Sequence, residues 1–199
     1  MEAIIDQITP EVKALIFDLD GTLADTIPLH LKAWQSAGEE LGFYITDQMI
    51  MDHSGTPTVI VAEILGKEYN WNADPKQIAE AKMHFYREHK TKHGKIKAIQ
   101  PILEIAKKYH GILPLGIGTG STRNGAMKSL DDISATHLFD TIITASDVKN
   151  PKPHPETFSR SADHFGLANH QCIVFEDGAA GIKAAIAGGF NLIDVKNYL

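Results

Sequence analysis

ALIFDLDGTLADT, residues 14–26, joins a buried strand to a pair of carboxylates. The run Ala14–Phe17 is too short for a helix and shows no polar alternation, which is typical of a strand covered on both faces in a parallel sheet. Because side chains alternate along a strand, Asp18 and Asp20 project the same way from its carboxyl end. Two such carboxylates repel each other unless a cation or a proton lies between them, and their hard oxygen atoms suit Mg²⁺. The stretch therefore predicts a metal site at a strand end.

The short pattern DxDG also suits two other structures when it is considered alone. One is an acidic turn after a strand, because Asp and Gly are ordinary turn formers. The other is a calcium loop of the helix-loop-helix type, which needs oxygen ligands at three alternate positions before its glycine. Gly21 and Thr22 break that pattern. On these four residues alone, the acidic turn remains an alternative to the metal site. Gly21 lets the chain turn sharply in either structure.

Composition restricts the class of protein. The chain has 199 residues, 43% of them hydrophobic, which suffices for one good core with room for a small second one. The net charge of −6 comes from interspersed acidic and basic residues, which argues against a nucleic-acid surface. No apolar run has the length of a membrane span, the N-terminus lacks a signal-peptide layout, and the single Cys172 fits a reducing compartment. We therefore expect a cytoplasmic protein that binds neither nucleic acid nor membrane.

A helical block follows the first strand. Asp25 is placed to cap a helix that has Pro28 in its first turn and an apolar stripe that ends at Gly42. From there to about residue 97 the apolar positions keep helical spacing, with helices predicted over 57–65 and 75–93 and no strand signal. This block predicts a small second domain over the end of the sheet.

A glycine-rich turn opens the second half of the chain. The pattern predicts a helix over 102–109, a strand over 112–117, and then the turn Gly118-Thr119-Gly120-Ser121 before a helix over 124–130. Free N–H groups and the helix dipole make such a turn a cradle for an anion. A dinucleotide-binding fingerprint would require Gly at position 121, where Ser121 stands, and no Gly-Lys-Ser/Thr of a P-loop follows.

The remaining pattern alternates strands and helices. Strands are predicted over 141–144, 172–176 and 192–195, with helices over 156–165 and 179–187 between them. This alternation predicts an α/β fold with a doubly wound parallel sheet and a site at the carboxyl ends of its strands.

A second pair of carboxylates ends the strand predicted over 172–176. Adjacent strand residues face opposite ways, so Glu176 and Asp177 reach one metal only if the chain turns there. We expect Asp177 to ligate the metal directly, and Glu176 to do so directly or through a water.

Four motifs in this order resemble those of the haloacid dehalogenase superfamily of phosphotransferases, in its β-phosphoglucomutase-like branch. DLDGTLADT resembles the first motif, in which Asp18 would be the nucleophile, and Thr119 matches the phosphate-binding hydroxyl of the second. KPHPE resembles the third, whose lysine is Lys152 rather than Lys149, and Glu176-Asp177 resembles the fourth. The resemblance implies a Rossmann-like core of residues 1–25 and 98–199 with an inserted helical cap of residues 26–97.

The resemblance also implies a mechanism. Mg²⁺ would be held by Asp18, the backbone carbonyl of Asp20, and Asp177, with Glu176 nearby. Asp18 would attack phosphorus to give an aspartyl phosphate, and Asp20 would serve as general acid and then general base, a residue that a dehalogenase does not need. Three groups would hold the phosphoryl oxygens, namely Thr119, the backbone N–H of Gly120, and Lys152.

Three functions fit this resemblance. The first is a phosphatase for a small sugar or polyol phosphate, similar to bacterial fructose-1-phosphate and 6-phosphogluconate phosphatases. The second is a β-phosphoglucomutase, although the arginine that this family carries in a cap loop has no counterpart in Gly55–Thr58; the matching cap residues His30 and Lys82 suit either function. The third, a catalytically silent phospho-ligand-binding protein, ranks last because all four motifs are intact. We expect a small phosphorylated molecule as partner, and a monomer.

Overall fold

The structure is a computed structural model that describes residues 2–199, and its centre is a five-stranded parallel sheet. The strands lie in the order β3-β2-β1-β4-β5, and every neighbouring pair is parallel. The chain thus builds the sheet outward from β1 in one direction and then returns to build it in the other. This confirms the predicted doubly wound sheet. The strands are β1 Ala14–Phe17, β2 Leu115–Gly118, β3 Thr141–Ile143, β4 Cys172–Glu176 and β5 Asn191–Asp194.

Nine α-helices accompany the sheet among residues 2–199. None of them combines the length and apolar character that a bilayer-spanning helix needs. They are α1 Glu2–Ile5, α2 Ile27–Leu41, α3 Asp47–Met51, α4 Thr58–Glu68, α5 Pro75–His93, α6 Gln100–Tyr109, α7 Arg123–Asp132, α8 Glu156–Phe165 and α9 Ala179–Ala187.

Helices cover both faces of the sheet, as the apolar β1 predicts. Leu15 and Phe17 point to one face, where they join a buried cluster with α6 and α7. Ala14 and Ile16 point to the other face, where they pack with α8 and α9. All four side chains are buried. A strand without a polar face is stable here because each face has its own layer of helices.

The helices α2 to α5, which we call the inserted helices, have a hydrophobic cluster of their own. Its buried members come from all four helices and the loop between α2 and α3: Trp34, Ile45, Ile50, Val61, Ala62, Leu65 and Ile78. The short helix α3 was not predicted, since five residues carry too little periodicity to detect. The backbone N–H of Met49 donates to Thr46 Oγ1 at 3.3 Å and so caps it.

Two local predictions were wrong. Asp25 does not cap α2: Thr26 occupies the N-cap position, and its hydroxyl donates to Asp20 instead of to the helix. Strand β2 begins at Leu115 rather than at Ile112, because the N–H of Ile112 still bonds back to Tyr109 at the end of α6. The apolar run 112–117 conceals that boundary, since a turn residue and a strand residue can be equally apolar.

Candidate active site

The carboxyl ends of β1 and β2 meet the inserted helices at a cavity of about 350 Å³. Asp18 and Thr119, each the residue after its strand, line the cavity from the sheet side. His30 and Lys82 line it from α2 and α5. The parallel sheet brings these residues together because all of its strands end at the same edge.

Lys152 and the carboxylates of Asp18, Glu176 and Asp177 form a buried group beside this cavity. The Nζ atom of Lys152 lies 2.6 Å from Asp18 Oδ1 and 2.8 Å from Glu176 Oε2. It also lies 4.4 Å from the centre of the Phe158 ring. Lys152 is 1% exposed, whereas Lys149, the other lysine of this loop, is on the surface. The lysine that matches the third motif is therefore the one that contacts the first and the fourth.

Negative charge exceeds positive charge in this group. Carboxylate oxygens of Asp18, Glu176 and Asp177 lie within 4.8 Å of one another, against the single ammonium of Lys152. Burial, and then the charge of Glu176, hold the pKa of Asp18 well above its ordinary value and raise the pKa of Asp177 to about 7. Burial alone would lower the pKa of Lys152, but the charges of Asp18 and Glu176 outweigh it and the pKa is raised. Three neighbouring carboxylates with surplus negative charge fit a hard divalent cation such as Mg²⁺.

The chain turns sharply after β4. Glu176 and Asp177 are adjacent in sequence, and this turn is what lets both carboxylates reach the same site. Glu176 Oε1 accepts the backbone N–H groups of Asp177 at 3.0 Å and Gly178 at 2.8 Å. Asp177 Oδ1 accepts the hydroxyl of Thr22 at 2.9 Å. Gly21 has a φ of +90°, and a Cβ there would overlap the Asp177 carboxylate. Glycine is therefore required both for the turn and for the close approach.

Asp20 lies apart from this group, among hydrogen-bond donors. Its Oδ1 accepts the hydroxyl of Thr26 at 2.7 Å, and its Oδ2 accepts the hydroxyl of Ser121 at 2.6 Å. His30 Nε2 lies 3.5 Å from Oδ1. Burial alone would raise the pKa of Asp20, but His30 and the two hydroxyl groups outweigh it and hold the pKa below its ordinary value.

A hydrogen-bonded chain continues from Asp20 into the inserted helices. Lys82 Nζ lies 2.8 Å from His30 Nδ1, and the Tyr86 ring stacks on His30 with centroids 4.5 Å apart. Burial lowers the pKa of Lys82 to about 8, and burial with the Lys82 charge lowers the pKa of His30. An ammonium can only donate, so Nδ1 accepts and the proton of the neutral imidazole is on Nε2, facing Asp20.

Sequence reasoning missed four residues of this site. The hydroxyls of Thr22, Thr26 and Ser121 orient the carboxylates, and Tyr86 supports His30. The three hydroxyl residues stand inside the quoted motifs, but the sequence analysis gave none of them a role at the site. Tyr86 follows Lys82 by one helical turn and gives no signal beyond that spacing.

Comparisons with known proteins agree with the family resemblance inferred from the motifs. The family model described as haloacid dehalogenase-like hydrolase matches residues 15–195. A fructose-1-phosphate phosphatase of Escherichia coli (strain K12), YqaB, is 34% identical over 92% of this chain and 95% of its own. A phosphorylated carbohydrates phosphatase of Thermotoga maritima is 26% identical over 92% of this chain and 84% of its own.

Solved structures agree with the sequence comparisons. A β-phosphoglucomutase from Clostridium difficile is 25% identical and superposes with a TM-score of 0.76, covering 94% of this chain and 86% of its own. The resemblance inferred from the four motifs is thus confirmed. The chain belongs to the haloacid dehalogenase-like hydrolase family.

Proposed function

We propose that the protein is a Mg²⁺-dependent phosphatase that hydrolyses a small sugar or polyol monophosphate, such as fructose 1-phosphate, through an aspartyl phosphate on Asp18. One observation carries the proposal: a lysine-paired carboxylate, Asp18, and a separate donor-bound carboxylate, Asp20, line the same cavity. The first carboxylate is suited to act as a nucleophile, and the second is suited to act as an acid-base residue. With family membership and phosphatase relatives, the chain is a phosphoric monoester hydrolase.

Asp18, Asp177 and the backbone carbonyl of Asp20 would hold the metal. Both oxygens of Glu176 are engaged, one by Lys152 and one by two backbone N–H groups. We therefore assign Glu176 to holding Lys152 and the turn, with any contact to the metal made through a water. When bound, the ion offsets the surplus negative charge and that of the substrate phosphate.

Two steps follow from the positions of the two aspartates. Asp18 attacks phosphorus and forms the acyl phosphate bond as the ester bond breaks, and the leaving oxygen takes its proton from Asp20. Water then attacks the acyl phosphate while the Asp20 carboxylate takes the proton of that water, which restores both groups. The donors around Asp20 favour its ionised form, which the second step needs. The first step needs the protonated form, so Asp20 must take up the proton that it donates against this preference. Thr119, Lys152 and the N–H of Gly120 hold the phosphoryl oxygens throughout.

We further propose that residues 26–97 act as a cap over a core of residues 1–25 and 98–199. The loop before α4 contacts the two core loops that carry Thr119 and Asp177. The N–H of Ala180 donates to the Ser54 carbonyl at 3.3 Å. A Cβ on Gly120 would lie 2.5 Å from the Gly55 carbonyl oxygen. Glycine at position 120 thus permits a close approach of the cap to the core.

Replacing Gly120 with Ala is expected to lower kcat/KM for a sugar phosphate by about tenfold or more. The added methyl group keeps the backbone N–H but overlaps the Gly55 carbonyl, and overpacking of this kind costs about 1–3 kcal/mol. Steady-state assays of phosphate release measure the effect. Gly66→Ala is the matched control, because a Cβ there meets nothing within 4 Å. An unchanged Gly120→Ala variant would contradict the cap contact.

A phosphate-release screen over a panel of sugar and polyol phosphates tests the proposed function. We expect release with Mg²⁺ present and loss of release after chelation with EDTA. A protein that releases no phosphate from any ester, with or without added Mg²⁺, would refute the proposal.

A β-phosphoglucomutase is the second candidate, because a solved mutase superposes on the chain. A mutase must grip a second, distal phosphate, for which the planar fork of arginine is suited. Among the described residues that line the cavity there is no arginine, and the ammonium of Lys82 is engaged by His30. A sugar hydroxyl should therefore compete poorly with water for the aspartyl phosphate.

We accordingly expect free inorganic phosphate from fructose 1-phosphate or a similar ester. With β-glucose 1-phosphate and a trace of the 1,6-bisphosphate, little glucose 6-phosphate should form. A coupled dehydrogenase assay run beside the phosphate assay measures both products. Glucose 6-phosphate accumulating much faster than inorganic phosphate would replace the phosphatase with the mutase.

A further inference from the structure

Lys152 reaches the site from a loop whose other residues are mostly exposed to solvent. Lys152 is 1% exposed, but Lys149, Asn150, Pro153 and His154 in the same loop are exposed. Such a loop has few apolar contacts with which to fix its backbone. The position of the buried ammonium between Asp18 and Glu176 therefore requires another anchor.

Glu156 supplies an anchor from the first turn of α8. Its Oε1 accepts the backbone N–H of Lys149 at 3.0 Å, and its Oε2 accepts the backbone N–H of Asn150 at 2.9 Å and the Asn150 side-chain amide at 3.0 Å. Arg160, one turn later on α8, donates to Oε1 at 3.1 Å. One carboxylate thus joins the entrance of the loop to its exit, with Lys152 between them.

The contacts of Glu156 require its ionised form. The backbone N–H groups of Lys149 and Asn150 lower the pKa of Glu156 to about 2. A carboxylate offers two oxygens that only accept, which suits four N–H donors; an amide at this place would set its own N–H₂ against some of them.

We propose that Glu156 is a positioning residue for catalysis, which closes the loop 149–156 and thereby fixes the Lys152 ammonium against Asp18. This rests on the proposed function. Glu156 is not among the residues that line the cavity, and its hydrogen bonds go to Lys149, Asn150 and Arg160, so it acts through Lys152. Displacement of a catalytic group by about 1 Å is enough to lower a rate by about 10²-fold, so a loosened loop lowers kcat even though Lys152 itself is intact. A purely structural Glu156, serving only the N-terminus of α8, would affect thermal stability and leave kcat unchanged.

The first test is kinetic and uses Glu156→Gln and Glu156→Ala. We expect kcat to fall about 10- to 100-fold, with KM changed by less than about threefold. The loss should be the same for a sugar phosphate and for p-nitrophenyl phosphate, because Lys152 acts on the nucleophile and the phosphoryl group rather than on the leaving group. Glu63→Gln, which removes an exposed pair with Lys67, is the control and should stay near wild type. A kcat within twofold of wild type in both Glu156 variants would overturn the proposal.

The second test needs no activity, so it separates this proposal from the proposed function. Acetic anhydride labelling followed by mass spectrometry reports how accessible each lysine is. In the wild type Lys152 and Lys82, each 1% exposed, should both resist labelling. In Glu156→Ala we expect labelling of Lys152 to rise at least about tenfold while Lys82 stays protected. Unchanged Lys152 labelling overturns the proposal, and equal labelling of both lysines, which indicates general unfolding, does so too.

Discussion

Replacing Asp18 with Asn is expected to abolish phosphate release while the protein remains folded. The amide oxygen cannot displace an alkoxide from phosphorus, so no aspartyl phosphate forms. Removing a covalent nucleophile from a serine protease costs on the order of 10⁶-fold in kcat, and we expect a loss of similar size here. The amide is close in shape to the carboxylate, and its oxygen can still accept the Lys152 ammonium, which keeps Glu176 as its charged partner at 2.8 Å. Near-normal phosphate release by the purified variant would refute the assignment of the nucleophile.

We also expect Asp18→Asn to be at least as stable as the wild type when no metal is bound. The pKa of the Asp18 carboxyl is raised in the folded protein, mainly by burial and by Glu176. Folding therefore disfavours ionisation of this carboxyl. The group is ionised at neutral pH in the unfolded chain, so its raised pKa in the folded protein lowers the free energy of unfolding there. An uncharged Asn removes that cost, so metal-free Asp18→Asn should unfold at the same or a higher temperature than the metal-free wild type. Added Mg²⁺ should raise the melting temperature of the wild type more than that of the variant. Calorimetry with and without EDTA measures both effects.

The parts of the site that follow from sequence are those at the ends of buried strands. A run such as Ala14–Phe17 predicts a buried strand by its apolar pattern, and the first polar residue after it, Asp18, is placed by that fact alone. The same logic places Thr119 after β2 and the pair Glu176-Asp177 at the end of β4. Which loop residue turns inward is harder to derive. The choice of Lys152 over Lys149 rested on resemblance to a motif, since a proline-rich loop gives no periodicity.

The parts that do not follow from sequence are the supporting hydrogen bonds. Thr26 shows the difficulty: a Thr before a helix suggests an N-cap, yet its hydroxyl serves Asp20 because the tertiary fold brings that carboxylate within 2.7 Å. Ser121 bonds Asp20 across 101 residues of sequence, a contact that only the parallel pairing of β1 and β2 creates. Glu156 looks like a first-turn acid suited to the helix dipole, and only the loop geometry reveals its contacts with Lys149 and Asn150.

Asp20→Asn is expected to leave Asp18 and Lys152 in place and to remove the proposed acid-base group alone. The carboxylate makes its contacts with Thr26, Ser121 and His30, and the structure shows none with Lys152 among the described residues. The two hydroxyl groups can each rotate to accept instead of donate, so the amide can be accommodated. The fold should therefore persist, and a loss of rate can be measured on a folded protein.

The size of that loss should depend on the leaving group. A sugar alkoxide must be protonated as it departs, so the first turnover should slow by about 10²- to 10⁴-fold, the usual value of general acid catalysis. An aryl phosphate such as p-nitrophenyl phosphate has a leaving group that departs without a proton, and its first turnover should slow much less. Rapid-mixing measurements of how fast the sugar or the phenol is released in the first turnover, before the shared aspartyl phosphate is hydrolysed, provide the comparison. Asp25→Asn, which changes an exposed carboxylate on the same loop, is the control. Equal slowing of both esters would mean that Asp20 does not transfer a proton, because a residue that only shaped the cavity or held the phosphate would affect the two leaving groups alike.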